Sequence, residues 1–129
     1  MKKYILFLFV MMANVLNSQQ LSFLNKNYSS ILAHYSYYQD TREIEIAGSR
    51  CFEVVFEEKN EIFLYKIDED NICRTIFYFL DKPIPFIQEL NKSAVVNSPT
   101  EWTLYNENYV ILVSYHIKND LHFFKFYVY

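Results

Sequence analysis

One glycine, Gly48, and three prolines stand in a chain of 129 residues, and that scarcity removes several chemistries at once. A loop that cradles phosphate needs backbone in conformations that glycine adopts freely, and one glycine cannot build it. G-x-S-x-G, C-x-x-C and H-E-x-x-H are missing as well. Asp68, Glu69 and Asp70 cluster, but no glycine follows to bend the chain into a calcium loop, so they read as a solvated turn. An excess of basic residues is also missing. With 12 Lys and Arg against 15 Asp and Glu, the chain offers no cationic field for a phosphate backbone, and no nucleic-acid partner is expected. No catalytic residue and no cofactor is indicated.

Cysteine is sparse too. Cys51 and Cys73 are a candidate disulfide pair if the protein is exported. A two-residue turn at Lys59-Asn60 sets Cys51 opposite Asp68, and a loop of Glu69 to Asn71 sets Cys73 opposite Ile67. Adjacent positions point to opposite faces, which puts the thiols beyond bonding reach. A one-residue change in either loop reverses that argument, so a bond and free thiols both stay open.

What the chain has in quantity is aromatic bulk, 12 Phe and 12 Tyr, which suits a small core. Lys2 and Lys3 precede an apolar block from Tyr4 to Leu16, interrupted by Asn14. This is the pattern of a secretory signal over residues 1–18, too short for a membrane span of about 20 residues. It leaves 19–129 as a single small α+β domain, secreted or periplasmic, with no transmembrane segment.

Larger apolar residues at Leu21, Leu24, Tyr28, Ile31, Tyr35 and Tyr38 are spaced three or four apart, predicting an N-terminal amphipathic helix over 21–38 with His34 on its solvated side. Alternation from Glu43 to Glu57 predicts strand. A turn at Gly48 that pairs Ile46 with Arg50 and Ile44 with Phe52 would keep Ile44, Ile46, Phe52, Val54 and Phe56 on one face. The stretch from Glu61 to Leu80 holds two apolar runs around a polar knot, and neither run alternates cleanly, so both of its faces want cover. Pro83 and Pro85 open a short helix to about Val96. A short strand at Trp102 to Tyr105, a turn at 106–108 and two long strands joined at Asn119-Asp120 follow. The expectation is a helix packed on an antiparallel sheet of five or six strands, with a second short helix between two meanders.

His116 and His122 flank the last turn, but the register that pairs His116 with Phe123 sends the imidazoles to opposite faces, so no metal is expected. The same register places Ile111, Val113, Tyr115 and Ile117 with Val128, Phe126, Phe124 and His122 as core. The other side carries Ser114 and His116 beside Lys125, Tyr127 and Tyr129. Aromatics with polar tips suit a wet recognition surface, so His116, Lys125, Tyr127 and Tyr129 are the candidate binding residues for a protein partner or small ligand. These features favour a non-enzymatic binding or interaction domain. The alternative is a small extracytoplasmic hydrolase or isomerase with an aromatic-lined pocket.

Overall fold

The computed structural model describes residues 18–105 and 108–128. Residues 1–17, which hold nearly all of the signal-like block, lie outside them, as do 106–107 and Tyr129. The elements are α1 (Ser18–Leu21), β1 (Lys26–Asn27), α2 (Tyr28–His34), β2 (Thr41–Ile46), β3 (Ser49–Phe56), a 3-10 turn (Glu57–Lys59), β4 (Glu61–Ile67), β5 (Ile72–Leu80), α3 (Ile84–Ser93), β6 (Val95–Ser98), β7 (Glu101–Tyr105), β8 (Val110–Lys118) and β9 (Leu121–Val128). The nine strands form one antiparallel sheet in the order β2-β3-β4-β5-β9-β8-β7-β6, with β1 paired to β5. Two meanders thus meet edge to edge at β5 and β9.

The described residues are mostly β, which corrects the α+β expectation of a long helix across five or six strands. Asn25 takes a left-handed conformation, φ 63°, and its N–H donates to the Cys73 carbonyl at 2.6 Å. The Tyr28 N–H donates to the Asn71 carbonyl at 2.8 Å, so residues 26–27 join the sheet where a helix was expected. Helix resumes for only seven residues, with the Asn27 side chain accepting from the Ser30 N–H at 3.0 Å. Leu21, Leu24, Tyr28, Ile31 and Tyr35 are all buried nonetheless, because turn plus short helix brings the same side chains to the same core. Beyond them Tyr37 is 95% exposed. His34 is half-buried among Phe23, Tyr35 and Tyr38, with ring centroids 4.7–6.0 Å away, not solvated as expected. The helix opened by Pro83 and Pro85, α3, also ends early, at Ser93, and Val95 and Val96 belong to β6.

Register decides what each face carries. One face has the row Phe52, Tyr65, Ile76, Phe126, Val113, Trp102 and the row Val54, Phe63, Tyr78, Phe124, Tyr115. Phe86 of α3 packs on this face against Phe124 at 4.5 Å and Tyr78 at 5.8 Å, and Tyr28 and Tyr35 pack on it against Phe52 at 6.0 Å. All of these residues except half-buried Tyr115 are buried in a single core. Burial of this much apolar surface, at about 25 cal/mol per Å², is the main stabilising contribution.

The β2–β3 turn differs from expectation by one residue. Ala47 (φ 50°) and Gly48 (φ 81°) make a two-residue turn of the kind whose backbone twist matches a hairpin, pairing Ile46 with Ser49 and Ile44 with Cys51. Since strand side chains alternate, that single step moves Ile44 and Ile46 off the core face.

Candidate functional site

The second face of the sheet has its own rows: Cys51, Lys66, Thr75, Tyr127, Leu112; Glu53, Leu64, Phe77, Lys125, Ser114; and Val55, Ile62, Phe79, Phe123, His116. None of the described helices' buried residues belongs to it. Phe77, Phe79 and Phe123 support one another there, with centroids 6.2 Å and 5.1 Å apart, and remain half-buried. Between the β2–β3 and β8–β9 turns this face holds a depression of about 420 Å³. Cys51, Leu64, Phe77, Phe79 and Phe123 form its apolar lining, with Ile46 and Leu121 at its edges, 46% and 57% exposed. Among the described residues, its only charged lining side chains are Lys66 and Lys118. A second depression of about 460 Å³ shares Phe79 and Leu121 but is lined by Glu57, Glu61, Asp81 and Asp120.

His116, Lys125 and Tyr127 lie on this open face, while Tyr129 is outside the described residues. The His116 ring stacks on Phe123 at 5.0 Å, and its Nε2 sits 2.7 Å from the Ser114 hydroxyl. The Lys125 ammonium stands 4.9 Å over the Tyr127 ring, a cation–π contact. Lys125 and Tyr127 are half-buried and His116 is exposed. The three border the depression without lining it, so the deeper residues were missed. Two signals pointed to them: the stretch from Glu61 to Leu80 is apolar on both faces, and β2 alternates isoleucine with glutamate.

Among the described residues no three His, Cys, Asp or Glu side chains cluster to hold a metal. His122 points to the core face, where its Nδ1 lies 2.5 Å from the Tyr115 hydroxyl, opposite in direction to His116. Cys51 faces Lys66 and Cys73 faces Ile67 across β4; both are free, buried thiols on opposite faces. Cys51 sits two positions from where a two-residue turn would put it, because residues 57–60 make a longer turn. Burial pushes the Cys73 thiol up to about 12 from 9.0, leaving it protonated and unreactive.

Neither a family model, nor a curated protein, nor a solved structure matches this chain. The site therefore rests on its own geometry. Asp68 is the structural centre of the acidic turn, its Oδ1 accepting from the N–H groups of Asp70 and Ile72 at 2.9 and 3.0 Å while Arg74 pairs with its carboxylate. No described helix is long and apolar enough to cross a membrane.

Proposed function

We propose that the protein is a small extracytoplasmic binding domain that meets an apolar ligand or partner on the face of its sheet that no described helix covers. The observation that carries this is the asymmetry of cover. The described helical segments bury their side chains on one face, while the other presents partly exposed phenylalanines around a depression whose volume falls within the ligand-pocket range of about 300–1,000 Å³. The Lys2-Lys3 pair and the apolar block to Leu16 support export. Intact mass of exported material should give a chain beginning near Gln19; a cytoplasmic product beginning at Met1 contradicts the export half of the reading.

The hydrolase alternative has one observation in its favour, the 2.7 Å contact between Ser114 and His116, which is the spacing of a nucleophile and its base. A working pair needs a third group to orient the imidazole, and no described residue bonds the other ring nitrogen. The binding reading is tested with Nile red, a neutral dye whose fluorescence rises in apolar sites. Saturable one-to-one binding by native protein, lost in Leu121→Asp without loss of the folded state, is expected. No saturable binding, or binding equal in wild type and variant, contradicts it.

A further inference from the structure

We propose that the depression between the β2–β3 and β8–β9 turns takes an amphipathic anion, a single hydrocarbon chain ending in a carboxylate. This rests on the open-face reading above and narrows it to a ligand class. The lining separates an apolar floor from a polar rim. Leu64, Phe77, Phe79 and Phe123 offer apolar surface without a hydrogen-bonding group, which suits methylenes, while the neutral polar members, Ser49 and Asn119, stand at the two turns on the rim. Lys66 from β4 and Lys118 from the end of β8 are the charged members of the lining, both exposed, so their ammonium groups reach water at the mouth. Among the described residues no carboxylate lines this depression and neither lysine pairs with one; the ion pairs there are made by Arg42, Arg50 and Arg74.

Composition does not explain that concentration of positive charge, since the chain as a whole is acidic. Glutamates and aspartates gather instead around the neighbouring depression beside Phe79 and Leu121. A carboxylate head is therefore attracted at the lysines and repelled next door, while a cationic head meets the reverse, so charge selects the ligand's sign as well as its orientation. A long-chain alcohol gains the apolar contact but not the charge-assisted hydrogen bonds.

The test displaces Nile red with dodecanoate, dodecanol and dodecyltrimethylammonium, each below its micellar concentration, at pH 8 and low salt. Dodecanoate should displace at about tenfold lower concentration than the other two, the worth of one charge-assisted contact. In Lys66→Gln/Lys118→Gln, whose melting temperature should match wild type because both side chains are exposed, the preference should vanish while Nile red still binds. Equal displacement by all three, or a preference that survives in the double variant, overturns the proposal and leaves the open-face reading intact. Failure of Nile red itself to bind overturns both. A stable dimer that excludes the dye assigns the face to a second copy of the chain and overturns the proposal.

Discussion

The hydroxyls of Tyr35 and Tyr65 lie 2.7 Å apart inside the core, and the Tyr65 hydroxyl donates to the Gln20 carbonyl at 3.0 Å. Tyr65 thus gives one hydrogen bond and accepts another, and Tyr65→Phe strands two buried groups at a cost of about 1–3 kcal/mol. Tyr35→Phe removes a donor only and should cost about 0.5–1.5 kcal/mol. Urea unfolding at pH 7 measures both, and the reverse order contradicts the network. The same burial sets the response to alkali. It pushes Tyr35 up to about 12 from 10.0 and Cys73 up to about 12 from 9.0, and raises Tyr65 and Tyr78 in the same direction, with the Glu61 carboxylate adding to burial at Tyr78. Folding favours the protonated forms, so their contribution is complete below the unfolded values and is lost as pH rises through the folded ones. The urea midpoint should hold up to about pH 9 and fall between 9 and 12, and Cys73→Ala should flatten the first part of that fall. A midpoint unchanged at pH 12 contradicts it.

Elements show which sequence signals carry to structure. The β8–β9 register was legible because Asn119 and Asp120 are the residue types that tolerate φ of 52° and 64°, and the strands on each side alternate without interruption. The β2–β3 register was not, since Ala47-Gly48-Ser49 fits a two- or a three-residue turn and only the packed sheet chooses. The N-terminal helix misled for a different reason: positions 21, 24, 28, 31 and 35 need only reach one core, and a turn at Asn25 followed by a capped short helix satisfies them as well as 18 helical residues would. Asn27 carried the missing information as an N-cap. Asn27→Ala should cost about 1 kcal/mol and Asn27→Asp much less, while Ile31→Ala at a fully buried position should cost about 2–5 kcal/mol. Ala47 accepts a left-handed backbone that asparagine tolerates better, so Ala47→Asn should stabilise by about 0.5–1 kcal/mol. A neutral or negative effect in thermal unfolding would contradict the two-residue turn.

At the scale of the molecule, two meanders joined at β5 and β9 make a sheet wider than its described helical segments cover. Both-sided apolarity between Glu61 and Leu80 announced that two faces needed cover, and pattern alone does not say which face a helix takes. His116, Lys125 and Tyr127 could be placed from one hairpin's register, whereas Phe77, Phe79 and Phe123 come together only when β5 and β9 pair, setting Phe79 opposite Phe123 across 43 intervening residues. The most direct test of the open face is a methyl NMR titration with Nile red on protein labelled at Ile, Leu and Val. Shifts are expected at Ile44, Ile46, Leu64 and Leu121, and none at Ile31, Ile76, Ile111 or Val113 in the core on the other face. Shifts centred on the second group, or spread evenly over both, would contradict it.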